Sequence, residues 1–551
     1  MIEKNFIGLI EDSIKKNWKT VAFADFHGLS YKYGTVADKI ANLHCLFEAF
    51  NIQKGDKISL IGQNSSAWGI AFLATITFGA VIVPILSDFQ IDEIHEIINH
   101  SDSKLLFSAD SVEGIDIDKL PQVKAIFSLN QFSLVICKDE FKTLGISEEK
   151  LDHLKILKYQ GAVTPKNINY EKQGNEKLAL ISYTSGTTGF PKGVMLSFNS
   201  LAANVIFARD NMPLKPADRI VSVLPLAHSY GCAFEFLFPF TLGCHIVFIT
   251  ENPSPQVLIN AYQEIRPRLI LTVPLIIEKI YKKSLLPKVE KFPLILLLKI
   301  PLVNQIFYSS IRKKLNMVFG NNFHEVVLGG AALNKEVEVF FKKIKFPFTV
   351  GYGMTECGPL ISYSPWFKTK LTSSGKLIDY LEIKIGSADP YNEVGEIILK
   401  GENLMDGYYK NEEATKKVID EDVWLHTGDL GIIDKDNTIF IKGRSIDMML
   451  GANGQNIYPG EIEAKLNNIP VFMESVIIEE NKKLVALVYP DYEFIKSQGL
   501  GPIENQLGPI KSEINKSLPK YMQISAIRVH NEEFEKTPKK SIKRYLYQPS
   551  G

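Results

Sequence analysis

YTSGTTGFPKGV, residues 183–194, decides how this chain is read. Thr184, Ser185, Thr187 and Thr188 crowd around Gly186 and Gly189, and Lys192 closes the run. Glycines let backbone N–H groups converge on one point, and hydroxyls add further donors. The lysine supplies a point positive charge. A polyphosphate is the natural guest of such a cradle. The residues before it, LALIS (178–182), are apolar and read as a buried strand running into the loop. A flexible Gly/Ser/Thr linker is the plainer reading, but a linker needs neither a buried strand before it nor Pro-Lys-Gly after it. The GxxxxGK pattern followed by Ser or Thr does not apply, because Lys192 is followed by Gly193.

The stretch resembles the phosphate loop of the adenylate-forming (AMP-binding) superfamily: acyl-CoA synthetases, luciferases and adenylation domains of peptide synthetases. The resemblance covers roughly residues 20–545. It implies an α/β fold with a large N-terminal domain of parallel-rich sheets flanked by helices (1–442). A hinge (443–447) and a small mobile α+β C-terminal domain (448–551) would follow.

Composition agrees with a multidomain globular protein: 551 residues, 45% hydrophobic and 23% charged. Lys plus Arg equals Asp plus Glu at 62 each, which gives no ground for a nucleic-acid partner. Cys45, Cys137, Cys232, Cys244 and Cys357 are scattered and lack CxxC spacing, so they read as reduced thiols of a cytoplasmic protein and not as a zinc site. MIEKNFIGLIEDSIKKNWK at the N-terminus is charged throughout and reads as an amphipathic surface helix, not a signal peptide. No stretch is long and apolar enough to span a bilayer. FPLILLLKIPLVNQIF (292–307) comes nearest, but Lys299 and two prolines break it. It reads as a buried helix or loop pair, the preferred choice, or as a patch peripheral to the inner face of a membrane that admits lipid.

Before the loop, KISLIG, an apolar helix-length segment at 65–79, AVIVPIL, a helix at 92–100 and KLLFSA alternate as βαβ units of a parallel sheet. Residues 110–175 are less regular. After the loop, RIVSVL (219–224) ends in PLAHSYG (225–231), which puts His228 past a strand's C-terminal end, where ligands collect. A lone histidine is more often a packing residue. The resemblance makes this one catalytic, because the matching turn of acyl-CoA synthetases lies beside the acyl group and the phosphates. Tyr230, Gly231, Phe234 and the rest of CAFEFLFPF line a pocket for an apolar chain, or form a core helix, or both. CHIVFIT (244–250), a helix at 256–266 and LILTVP (269–274) make another βαβ unit, and 281–320 reads as a helical insertion. HEVVLGGAAL (324–333) ends a strand in two glycines, which permit close approach of a flat ligand or simply make a tight turn. The resemblance assigns Gly330 and Ala331 to adenine.

FTVG leads into YGMTECG (352–358). Tyr352 offers a face to a purine, and Thr355 a hydroxyl. The resemblance places Gly353 in the same nucleotide-binding set. Mg²⁺ takes mostly carboxylates as protein ligands, and the resemblance makes Glu356 its ligand with Thr184 as hydroxyl neighbour. GEIILKGENLMDGYYKNEEAT (395–415) reads as a small β unit and a turn with no obvious chemistry. In WLHTGDLG (424–431), Asp429 matches the residue that takes both ribose hydroxyls, and Arg444 of IKGRS the second ribose contact. Beyond Arg444 the chain turns short, mixed and richer in Lys, Glu and Asn, and Pro459 begins a helix.

Two positions depart from the family pattern. Its pivot residue, usually polar or charged, is Ile446 here, and hinges need not be one residue type. Its terminal Thr-x-x-Gly-Lys-Ile-x-Arg becomes EKTPKKSIKRYLY (535–547), with Ser541 at the lysine position. Lys540 is the expected substitute, with Lys543 as an alternative and a solvated basic tail as the plainer reading. The resemblance thus implies a Mg²⁺-dependent ligase that joins a carboxylic acid to ATP as acyl-adenylate and passes the acyl group to coenzyme A. Lys192, His228, Glu356 and Lys540 would be its catalytic residues. PLAHSYG, the apolar run after it and the insertion near 290 most resemble bacterial long-chain fatty acyl-CoA synthetases, so a medium- to long-chain fatty acid is the expected substrate. The alternatives are transfer to an acyl carrier protein, activation of an aryl acid, and a nucleotide-binding regulator without turnover.

Overall fold

The computed structural model describes residues 2–110, 112–184, 191–251, 253–285, 301–450, 456–481, 483–537 and 542–548. Ser185, Gly186, Thr187, Thr188, Gly189, Lys540 and Ser541 lie outside the described residues, as does 286–300 of the expected insertion.

The fold is α/β, organised on two large sheets. The first runs in the order Gly407–Tyr408, Lys192–Ser197, Leu178–Thr184, Val81–Ile85, Lys57–Ile61, Ser103–Ser108, Ala125–Ser128, Leu134–Cys137. The second runs Phe348–Val350, Glu325–Leu328, Leu269–Thr272, Arg219–Ser222, His245–Phe248, Val21–Asp25, Ser30–Lys32, and all its pairings but the last are parallel. Parallel strands covered on both faces read as continuous apolar runs, and every residue of Val81–Ile85 is buried. Strands His245–Phe248 and Leu269–Thr272, expected as one βαβ unit, are not neighbours, because Arg219–Ser222 lies between them.

Helix Ser66–Phe78 shows how sequence and packing meet. The Ser65 hydroxyl accepts from the Trp68 N–H at its start, and Gly79 ends it in the left-handed conformation at φ 93°. Its apolar surface runs all round, as a helix buried between layers requires. Trp68 and Phe72 stack at 5.3 Å, Phe72 meets Phe236 at 5.4 Å, and Phe236 meets Phe23 of the second sheet at 5.9 Å. The expected N-terminal helix is Phe6–Lys16, and its apolar face joins this same core: Phe6, Ile10 and Ile14 are buried, and the Ser13 hydroxyl donates to the Phe240 carbonyl at 2.6 Å. The irregular 110–175 region holds strands Ala125–Ser128 and Leu134–Cys137 and helix Glu148–Tyr159.

A four-stranded antiparallel sheet follows in the order Leu381–Ile385, Gly395–Gly401, Leu425–Ile433, Ile439–Arg444. Strands Phe472–Glu480, Lys483–Pro490 and Ala526–Val529, with helices Pro459–Leu466 and Glu504–Lys516, gather an apolar cluster of their own that includes Ile462, Leu466, Ile477 and Val488. Among the described residues, no helix is long and apolar enough to cross a membrane.

Candidate active site

The second sheet places the site. Parallel strands share one carboxyl edge, and ligands of α/β sheets bind outside it. The turns after Ser222, Leu328 and Val350 therefore emerge together: PLAHSYG, GGAAL and GYGMTECG. Tyr230 ties the first two, since its hydroxyl donates to the Val327 carbonyl at 3.1 Å and its ring covers Gly329, where a Cβ would meet ring atoms at 3.0 Å. Ser229 and Thr355 hydroxyls lie 3.5 Å apart and tie the first to the third. His228 is half-buried and caps the following turn, its Nδ1 accepting from the Tyr230 N–H at 3.2 Å. Gly330, at φ 86° with open space where a Cβ would stand, and Ala331 are exposed at the mouth. Gly353 also faces solvent, and a Cβ there would strike the Pro359 carbonyl at 2.2 Å.

The described ends of the phosphate-loop motif pair with each other. Leu178–Thr184 pairs antiparallel with Lys192–Ser197, and Thr184 stands opposite Lys192. Lys192 therefore opens the return strand, with its backbone fixed by pairing. The Thr184 hydroxyl donates to its carbonyl at 3.4 Å. The 395–415 segment, expected to carry no chemistry, supplies the next partner. Tyr408 pairs opposite Val194, so it shares a face with Lys192 two residues away. Lys192 Nζ lies 5.0 Å from the centre of its ring, and its hydroxyl donates to Glu356 Oε1 at 3.0 Å. Burial, then Glu356, pushes the Tyr408 hydroxyl far above its usual range, so it stays a donor.

Buried amides brace the Glu356 turn. Asn403 donates to the carbonyls of Cys357 and Leu360 at 2.9 and 2.6 Å. Asn204 donates to Cys357 at 3.2 Å and accepts the Leu360 N–H at 2.8 Å. Both asparagines are fully buried. Glu235 does the same for the His228 turn: it is fully buried, and its Oε2 accepts the N–H groups of Val223 and Leu224, each at 2.8 Å. Burial pushes its carboxyl well above the usual carboxylate range. Glu235 lies in the wide-turn helix Cys232–Leu237, where the structure fills the core with Phe234, Phe236 and Leu237. Sequence reading missed Tyr408, Asn204, Asn403 and Glu235. A glutamate inside an apolar run was the one available signal.

Asp429 and Arg444 stand opposite each other in register. Arg444 Nε donates to Asp429 Oδ1 at 2.7 Å, and the Tyr352 hydroxyl donates to Oδ2 at 2.6 Å. Burial opposes the Arg444 charge, yet Asp429 more than compensates and raises its pKa. Burial, then Asp429, lifts the Tyr352 hydroxyl far above its ordinary value. Both Asp429 oxygens thus carry one protein partner each. Each oxygen retains a second lone pair for a ligand. Ile446 is 72% exposed.

Residues 10–409 match the AMP-binding enzyme family. The chain belongs to that family. This AMP-binding enzyme is 28% identical over 512 residues to 4-coumarate--CoA ligase 4 of Arabidopsis thaliana, covering 90% of this chain and 82% of that one. It is 26% identical over 513 residues to the long-chain-fatty-acid--CoA ligase ACSBG2 of Rattus norvegicus, covering 86% and 73%. Its fold matches O-succinylbenzoate Coenzyme A Synthetase (MenE) from Bacillus subtilis, solved with ATP and a magnesium ion, at TM-score 0.74 and 21% identity over 98% of each chain.

Proposed function

We propose that this AMP-binding enzyme is an ATP-dependent acid–CoA ligase acting on a medium- to long-chain fatty acid. The observation that carries the reading is the convergence of Lys192, Tyr408 and Glu356 with the Tyr352–Asp429–Arg444 cluster where separate sheets meet, with Arg444 close enough to feel Glu356 and to act on Tyr408. A carboxylate oxygen of the acid bonds to the α-phosphorus of ATP, and the bond from that phosphorus to the bridging oxygen breaks to release pyrophosphate. The sulfur of coenzyme A then bonds to the acyl carbon, its proton passes to solvent, and AMP leaves with the former carboxylate oxygen. No enzyme nucleophile is required, so the protein's contribution is positioning and charge. Lys192 would face the phosphates, Asp429 and Arg444 the ribose, Tyr352, Gly330 and Ala331 the adenine, and His228 the acyl–phosphate junction.

The donor set fits Mg²⁺. Among the described residues Tyr408 engages one Glu356 oxygen, which leaves the other for a hard cation alongside the Thr184 hydroxyl. Bound there, the ion would neutralise phosphate charge. Tyr408 fixes the carboxylate's orientation, and Asn403 and Asn204 fix the turn that presents it. Residues 448–551 are proposed as a lid joined through 443–447, with Lys540 reaching the α-phosphate. The apolar Cys232–Leu237 helix behind His228 and the similarity to a long-chain ligase support a fatty acid. Release of AMP and formation of acyl-CoA across a chain-length series tests this. Activity confined to an aryl acid such as 4-coumarate would replace the substrate assignment, and AMP release independent of coenzyme A would replace the acceptor.

A further inference from the structure

The strand that carries Asp429 is irregular where it matters. Between Gly395–Gly401 and Leu425–Ile433, Glu396 stands opposite Leu430 and Ile398 opposite His426. Ile397 alone therefore faces Thr427, Gly428 and Asp429. Extra residues on one strand bend it and re-aim its side chains. Gly428 takes φ 69°, a left-handed conformation that favours glycine. Its N–H is met by a side chain: it donates to Glu396 Oε1 at 2.9 Å. The other Glu396 oxygen lies 2.9 Å from His426 Nδ1. His426 Nε2 lies 3.6 Å from Asp420 Oδ2, and Asp420 Oδ1 accepts the Trp424 N–H at 2.8 Å. From the far side, the Ser445 hydroxyl donates to the Gly428 carbonyl at 3.1 Å. The Thr427 hydroxyl donates to the Ile397 carbonyl at 2.7 Å and accepts the Asp429 N–H at 3.0 Å.

We infer that Glu396 and His426 are positioning residues that hold this bulge and so aim Asp429 at the nucleotide, an assignment that rests on Asp429 being a nucleotide ligand. Neither needs to touch ATP. Glu396 supplies the acceptor that a regular ladder does not give Gly428, and His426, braced by Asp420, keeps Glu396 in place. The charged groups facing His426 are the carboxylates of Glu396, from the neighbouring strand, and Asp420, from the segment before it. Lys384 and Lys400 point at the Trp424 ring instead, at 3.7 and 5.8 Å. The Glu396 hydrogen bond, first among the causes, raises the His426 pKa above its usual 6.5. With a raised pKa the imidazolium grip is complete below about pH 6.5 and is lost as pH rises through the raised value. ATP binding should weaken on the alkaline side.

Calorimetry of MgATP binding to the full chain, with steady-state kinetics, tests the assignment. Glu396→Ala should weaken ATP binding about tenfold, leave kcat at saturating ATP within about threefold, and leave KM for the acid within about twofold. Glu396→Gln keeps an oxygen for Gly428 and should restore affinity to within about threefold. The native chain should lose ATP affinity several-fold from about pH 6 to about pH 9, and His426→Gln should flatten that profile. Asp429→Ala, run alongside, separates the two layers of inference. If it leaves ATP binding intact, the nucleotide reading of Asp429 fails. If it abolishes binding while Glu396→Ala does nothing, the bulge assignment fails alone. Should Glu396→Ala not fold, the pH series decides, and identical profiles for the native chain and His426→Gln overturn the proposal.

Discussion

The two ends of the site are built from different materials. At the proposed phosphate end, Glu356 sits on a turn held by fully buried neutral amides, Asn204 and Asn403, and Lys192 sits on a paired strand. At the proposed ribose end, Asp429 is held by charged and titratable partners: Arg444 and Tyr352 directly, Glu396 and His426 through the bulge. Neutral buried brackets hold one geometry at every pH in the working range, because nothing in them titrates. Charged brackets in a half-exposed sheet respond to pH and salt. The contrast assigns rigidity to the end where the chemistry would occur and adjustability to the end that would grip the sugar.

The largest effect expected is on the chemical step. Glu356→Gln should lower kcat/KM by roughly a hundred- to thousandfold, the scale of a lost electrostatic group in an active site. A loss confined to KM for ATP would erase the distinction between the ends. Next comes the bracket itself. Asn403→Ala removes the amide from the buried Leu360 carbonyl and leaves Cys357 only Asn204, and should cost about 1–3 kcal/mol of stability in denaturant melts. Because the lost partners are neutral, that cost should be the same at about pH 6 and about pH 9. A pH-dependent cost would contradict the assignment of rigidity to neutral groups. Arg444→Lys trades a planar donor for a point charge and should raise KM for ATP about five- to tenfold with kcat little changed. The smallest effect belongs to Tyr408→Phe. It removes one neutral donor from Glu356 and should cost about 1 kcal/mol, several-fold in kcat/KM, while raising the Mg²⁺ concentration needed for half-maximal rate.

Much of this was legible in the residues. Strand Val81–Ile85 and helix Ser66–Phe78 follow from apolar runs bounded by Ser65 and Gly79. The turns after Ser222, Leu328 and Val350 were placed at strand ends, and the structure puts them on one edge. Tyr408 was not legible, because it reaches Lys192 and Glu356 through sheet pairing across more than two hundred residues and across about fifty. Glu235 hid in an apolar run, and its partners are backbone groups that no side-chain pattern reveals. The Asp429 motif was found, but not that Tyr352 and Arg444 occupy its oxygens.

The sequence alone determined the family, the α/β class and the residue types at each proposed contact, because local periodicity, glycine placement and short motifs are properties of neighbours along the chain. Tertiary structure alone decided that the two described ends of the phosphate-loop motif pair, that Tyr408 bridges Lys192 to Glu356, and that three residues ending at Asp429 bulge opposite Ile397. Those depend on register between distant strands, and register is fixed only when the buried faces and hydrogen-bond ladders of the whole sheet are satisfied together.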